Sequence, residues 1–207
     1  MSVSDHLLYA LLWASFGLGH SLLAASPGRR LLERWFGARD RLAYNAISVL
    51  HLILVLVPAW LWLRPGAMAF DWPWPIRAAQ LTMIAGGTVI LVIGLRGYDL
   101  SRFAGTEQWR RGRSENQNGI EPLNTGGLNA HVRHPLYAGG LMLLWGSVTD
   151  AFSLSTAFWA SAYLAVGIVL EERKLITLYG DAYRQYRARV PALIPIGWLR
   201  RSGLARE

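Results

Sequence analysis

The sequence predicts an all-α integral membrane bundle of about five transmembrane helices, with a C-terminal helical hairpin and an interfacial amphipathic tail helix. Three observations predict it. Hydrophobic residues make up 53% of the 207 and are gathered in long blocks, and a helix needs roughly 18 or more such residues to cross ~30 Å of hydrocarbon. Only 16% of the residues are charged, against roughly a quarter in a soluble domain. The arginines fall between the apolar blocks rather than along one face, which is the pattern of span ends.

The first span runs from about Leu7 to Ala25. It starts with Asp5 and His6 rather than Lys or Arg, and no small-x-small site in it is followed by a soluble domain, so it reads as a retained span and not a signal peptide. The second runs from Leu42 to Leu63, and the third from Ala78 to Leu95, where Gly86, Gly87 and Gly94 permit close helix approach. The fourth, Leu136 to Val148, is too short to cross upright. The fifth, Leu154 to Leu170, follows the polar turn Thr149-Asp150, so the two form the hairpin.

Arginine crowds the segments 26–41, 96–133 and the tail after Leu170, while the 64–77 loop has only Arg64 and Arg77. By the positive-inside rule the N-terminus is outside and the C-terminus cytoplasmic, in a bacterial inner membrane. Trp60, Trp62, Trp72 and Trp74 cluster around the outer loop, as interfacial aromatics do. A net charge of +8 distributed this way argues against nucleic acid. With no cysteine, disulfides, thiolate metal sites and a cysteine nucleophile are excluded. The chain reads as one membrane domain: a three-helix scaffold with acceptor access (1–97), an inner-face loop (98–135), and a hairpin with tail (136–207).

The densest polar cluster is His131-Val132-Arg133-His134-Pro135-Leu136-Tyr137-Ala138-Gly139. Pro135 suits a first helical turn, so Arg133 and His134 stand at a helix N-terminus, where cations and free N–H groups attract a carboxylate or phosphate. The same residues also suit an anchor snorkelling to lipid headgroups. Glu171-Glu172 closes the fifth span, where the helix dipole disfavours acids. A hairpin would set them beside Arg133 and His134, lining a pocket suited to a zwitterion. Beyond them Leu175, Tyr179, Tyr183, Tyr186 and Val190 are spaced to share one helical face, with Asp181 as the cap of a restart after Gly180 and Pro191 as the stop. This is an interfacial helix, and it is also suited to cover the pocket.

Arg133-His134-Pro135-Leu136-Tyr137, the hydrophobic hairpin, Glu171-Glu172, Tyr179-Gly180, Tyr183-x-x-Tyr186 and Val190-Pro191 together resemble the isoprenylcysteine carboxyl methyltransferase and phospholipid methyltransferase superfamily. Gly19-His20-Ser21-Leu22-Leu23-Ala24 and Gly97-Tyr98-Asp99-Leu100-x-Arg102-Phe103 are similar to the methanethiol S-methyltransferase branch, and to membrane proteins associated with nitrite and nitric oxide reductases. The superfamily resemblance implies a membrane enzyme that uses S-adenosylmethionine. It implies that Arg133, His134, Pro135, Tyr137 and Gly139, with Glu171 and Glu172, line the cofactor pocket. The chemistry of the residues adds His131 and Tyr183 as cofactor-binding candidates and makes Arg133 and His134 the candidate catalytic pair; His131 and His134 have no third ligand in view, so no metal is expected. The cofactor's carboxylate would meet Arg133, His131 or His134, its ammonium Glu171 or Glu172, and its adenine Tyr137 or a tail tyrosine.

The acceptor implied is a small thiol or a lipophilic molecule entering from the bilayer, with a phospholipid or prenylcysteine as the alternative. Outside the enzyme class, His20 and His51 lie within spans, and paired intramembrane imidazoles suit haem. A haem-binding or assembly protein is therefore the competing reading. Hydrogen bonds to neighbouring helices are the structural one.

Overall fold

The computed structural model describes residues 1–96 and 122–195. The motif at 97–103 and the arginines of the last residues lie outside that range. In chain order the helices are α1 (Val3–Ala24), α2 (Ser26–Phe36), α3 (Asp40–Leu63), α4 (Trp74–Arg96), α5 (Pro135–Gly146), α6 (Ala151–Tyr179) and α7 (Asp181–Arg189), with short 3-10 turns at Gly37–Arg39 and Gly127–Ala130. Among the described residues, four helical segments are long and apolar enough to span a membrane: Val3–Ala24, Ser26–Leu63, Trp74–Arg96 and Ala151–Tyr179. Only 11% to 22% of their apolar windows is buried within the protein. Leu7, Leu11, Leu18 and Leu22 of α1 all face outward. Such surfaces are stable only against lipid, where apolar side chains and self-bonded helical backbones need no water. The protein is an all-α integral membrane bundle. The fourth predicted span is α5, whose 12 residues extend only about 18 Å.

The chain divides into two compact units, and α6 contributes to both. The first comprises residues 1–72 and 148–163 among those described. Helix α1 begins earlier than the apolar run because Ser2 and Asp5 form a capping box: Ser2 Oγ accepts from the Asp5 N–H at 3.2 Å and Asp5 Oδ2 from the Ser2 N–H at 2.6 Å. Its inward stripe is Tyr9, Trp13 and Phe16. Tyr9 stacks on Phe152 with ring centroids 5.4 Å apart, and its hydroxyl bonds Thr156 at 2.8 Å. Pro58 sits inside α3 without ending it, as a span tolerates.

The arginine-rich segment 26–41, expected as a loop, contains a helix. Pro27 lies in the first turn of α2, and Leu31, Leu32, Trp35 and Phe36 gather on one side of it. Its charge concealed that periodicity from a reading based on apolar run length. At its end Gly37, with φ 57°, lets the chain turn into α3.

Asp150 organises the other end of this unit. Its Oδ1 accepts the Ser153 N–H at 2.7 Å, starting α6, and its Oδ2 accepts from Arg64 Nε at 3.2 Å. The backbone pairs here as well, Phe70 N–H with Thr149 O and Ala151 N–H with Met68 O, both at 2.9 Å. Partial burial pushes the Asp150 carboxyl up, but the Ser153 hydrogen bonds and Arg64 outweigh it and hold the group below the usual aspartate range. A depressed folded-state pKa gives stability that is present above the unfolded value of about 3.9 and lost as pH falls through the folded value. The thermal stability of wild type over Asp150→Asn should therefore persist from neutral pH to about 4 and vanish below it. A difference that grew on acidification would show that the carboxylate does not stabilise this turn.

The second unit comprises residues 73–96, 122–147 and 164–195 among those described. Helices α4 and α5 approach through glycines: a Cβ on Gly87 would lie 2.7 Å from Gly139 O, and one on Gly139 3.0 Å from Gly87 O. Helix α6 does not stop at Leu170. It continues through Glu171-Glu172 to Tyr179, because the residues that follow are good helix formers and Gly180, φ 58°, is the first to break it. The single tail face running through Tyr179 is consequently split between two helices. Asp181 is the first residue of α7 and does not cap it; Gly180 occupies the cap position, and Asp181 pairs with Arg184 at 2.7 Å.

Candidate active site

The site lies within the second unit, where the start of α5 meets α6 at residues 171–172 and α7 with the segment 190–195 that follows it. Pro135 opens α5 and His134 is its N-cap. Two backbone bonds fix the preceding residues: Arg133 N–H donates to Pro191 O at 2.9 Å and His134 N–H to Ala192 O at 3.0 Å. Tyr186, buried in α7, donates from its hydroxyl to Asn129 O at 2.6 Å and ties the 3-10 turn to the tail. The tail thus holds the Arg-His-Pro segment by main-chain bonds.

Glu172 is the centre of the charge cluster. Its Oε1 accepts from Arg133 Nε at 2.7 Å and Nη2 at 2.5 Å, with His134 Nε2 at 3.2 Å. Its Oε2 faces Arg187 Nε at 3.1 Å. Side-chain exposure of Arg133 and Glu172 is 9% and 6%, so the pair is desolvated on both sides. The remaining Arg133 nitrogen, Nη1, donates to Val190 O and to Arg187 O. All the donor nitrogens of Arg133 are therefore directed at protein acceptors.

Glu171 is placed differently. Its side chain is 44% exposed, its Oε2 accepts the Tyr137 hydroxyl proton at 2.9 Å, and His134 Nδ1 stands 3.7 Å away. The His134 and Tyr137 rings stack 5.4 Å apart at an interplanar angle of 6°. One carboxylate is thus saturated and buried, while its neighbour is aimed by a tyrosine and open to solvent. A hydrated acid held this way can take a ligand cation, whereas Glu172 has its valences filled.

Tyr183 is 1% exposed and packs edge-on to Tyr186 at 5.8 Å. Burial, then the nearby Glu172 charge, pushes its phenol up to about 12, so the hydroxyl stays protonated across the physiological range. That hydroxyl is buried with no hydrogen-bond partner among the described residues.

Of the residues read from sequence, Arg133, His134, Tyr137, Glu171 and Glu172 come together, with Pro135 buried at the start of α5 and Tyr183 close to their charges. His131 is exposed in the turn before them. Gly139 faces α4, where a Cβ would meet Gly87 O, Leu91 and Ile90. Arg187, Asn129 and the carbonyls of Val190, Pro191 and Ala192 were not anticipated as parts of the site, although Val190-Pro191 belongs to the resemblance and Pro191 marks the helix stop.

The intramembrane histidines lie in the first unit. His20 is held at both nitrogens by phenols, Tyr44 Oη at 2.5 Å from Nε2 and Tyr163 Oη at 3.1 Å from Nδ1. His51 Nε2 meets Ser15 Oγ at 3.3 Å. This is the helix-bonding arrangement, and it leaves neither nitrogen of His20 directed at a haem iron.

Comparison with known proteins finds methyltransferases. Methanethiol S-methyltransferase 1 of Bradyrhizobium diazoefficiens is 31% identical over 193 residues, covering 89% of this chain and 65% of the relative. Methanethiol S-methyltransferase 2 of the same organism is 32% identical over 212 residues, 94% of this chain and 75% of that one. The protein-S-isoprenylcysteine O-methyltransferase of Schizosaccharomyces pombe is 36% identical over 80 residues, 36% of this chain and 33% of that protein. The chain thus spans about two thirds of the first relative's length and three quarters of the second's. No family model matches the chain, and no solved structure does.

Proposed function

Because this chain belongs to the methanethiol S-methyltransferase family of membrane methyltransferases, we propose that it transfers the methyl group of S-adenosylmethionine to a small thiol that enters from the bilayer. The observation that carries this reading is the unequal treatment of two adjacent acids. Arg133, His134 and Arg187 consume Glu172, while Tyr137 presents the half-exposed Glu171.

That arrangement fits the cofactor. Its ammonium is suited to Glu171, its carboxylate to the exposed His131 and the first turn of α5, and its adenine to the Tyr137 face. When bound, S-adenosylmethionine supplies an already activated sulfonium methyl. The residues then have to position and exclude water rather than perform strong acid–base work. In this reading Arg133 and Glu172 hold the wall of the site, Pro135 fixes the start of α5, and His134 aligns Tyr137 through their stacked rings. Tyr183, buried beside the Arg133–Glu172 pair, backs that wall. His134 Nδ1, facing Glu171 Oε2, is the ring atom best placed to exchange a proton released by a thiol. The positive-inside rule puts this site and the C-terminus on the cytoplasmic side of a bacterial inner membrane, with the N-terminus outside.

The test is calorimetry with S-adenosylhomocysteine on the full chain in nanodiscs. Wild type should bind, and Glu171→Gln should weaken binding on the order of 10- to 100-fold, the loss of one charge-assisted contact, with unchanged thermal stability. No binding by wild type would sink the cofactor assignment. Incubation of membranes with methyl-labelled cofactor separates the acceptors: label in the volatile fraction supports a small thiol, label in lipid or protein a phospholipid or prenylcysteine.

A further inference from the structure

We propose that α2 is a docking surface for anionic phospholipid headgroups, with Arg30 and Arg34 binding lipid phosphate and Leu31, Trp35 and Phe36 seated in the bilayer beneath. The placement of α2 carries this. It joins α1 and α3, both within segments of membrane-spanning length and hydropathy, so it lies where a span leaves the hydrocarbon. Gly28 keeps it there. A Cβ at that position would sit 2.2 Å from Leu22 O and 2.7 Å from Leu23 Cα, so the first turn of α2 packs directly on the last turn of α1.

Leu32 is buried in the first unit and sets the rotation of α2. Around that fixed rotation Leu31, Trp35 and Phe36 are exposed, Trp35 to 77%. Leu31 and Trp35 are one turn apart and share a face; Arg30 and Arg34 share the adjacent one and are exposed. An apolar underside flanked by guanidinium groups, with a tryptophan at the boundary, is the chemistry of an interfacial helix. The charge selects the lipid: α2 carries three arginines, Arg29, Arg30 and Arg34, against one acid, Glu33. Paired guanidiniums match phosphate oxygens and favour a headgroup with no compensating cation, such as phosphatidylglycerol, over a zwitterionic one.

The full chain lacks cysteine, so a single introduced one reports without background. The chain is reconstituted in vesicles of equal phosphatidylglycerol and phosphatidylcholine, extracted gently, and the retained lipid measured by mass spectrometry. Wild type should retain phosphatidylglycerol preferentially. R30Q/R34Q should lower that preference several-fold, since each arginine near an anionic surface is worth roughly fivefold, and R30K/R34K should keep most of it. Bimane on Leu31→Cys should be quenched by lipid carrying a nitroxide on its acyl chain. Unchanged preference in R30Q/R34Q overturns the lipid assignment. So does a Leu31→Cys probe that lipid cannot quench, and if the chain is then dimeric, the occupant of this face is a second copy.

Discussion

Replacing Glu172 with alanine is expected to destabilise the protein by about 3–5 kcal/mol and to abolish S-adenosylhomocysteine binding. The carboxylate compensates Arg133 in a setting where both side chains are below 10% exposed, and it also bonds His134 and Arg187. Its removal leaves a buried guanidinium with no anionic partner at hydrogen-bond distance among the described residues, its Nη1 still on the carbonyls of Val190 and Arg187. The double variant R133M/E172M should recover much of the stability, because apolar replacement of both partners removes the unpaired charge. It should not recover binding if the pair shapes the site. Thermal unfolding in detergent, followed by calorimetry, reads both quantities. An E172A protein as stable as wild type would mean that the cluster is hydrated and does not organise the α5 start.

Gly87→Val is expected to lower stability by about 1–3 kcal/mol or more, because the first side-chain carbon already falls 2.7 Å from Gly139 O and 3.2 Å from Leu143 N. Backbone atoms cannot rotate aside as a side chain can, so α4 and α5 must separate. Helix α5 carries His134 at its start, so the same change should weaken cofactor binding at a distance from it. Gly140→Ala provides the control within the same helix. Nothing lies within 4 Å of a Cβ there, and alanine gains up to about 1 kcal/mol of helix propensity. Equal stability of the two variants would show that the α4–α5 approach is looser than the glycine contact implies.

Much of this architecture was legible from residue order. Apolar blocks of membrane length announced α1, α3, α4 and α6, because the hydrocarbon thickness is a constraint on composition alone. The segment from Arg133 to Tyr137 and the pair Glu171-Glu172 were legible because opposite charges at the ends of neighbouring apolar runs require partners. The boundaries were less legible. Helix α1 gained its first turn from a capping box, α6 ran on past its acids, and α2 was hidden by its arginines. In each case local hydrogen bonding or amphipathic packing outweighed the hydropathy on which span ends were judged.

The sequence by itself determined that this chain lives in a membrane as a helical bundle and that one arginine–histidine segment and one pair of acids are neighbours. Only the tertiary structure decided which acid is which. Glu172 is buried under Arg133, His134 and Arg187, and Glu171 is left half-exposed on the Tyr137 hydroxyl, although the two residues are chemically identical and adjacent. The physical reason is the rotation of about 100° between successive helical residues. It turns one carboxylate toward the α5 start and the tail, where cations converge, and its neighbour toward solvent. Rotation of a helix about its axis is set by packing against other elements, which no order of residues along a single segment records.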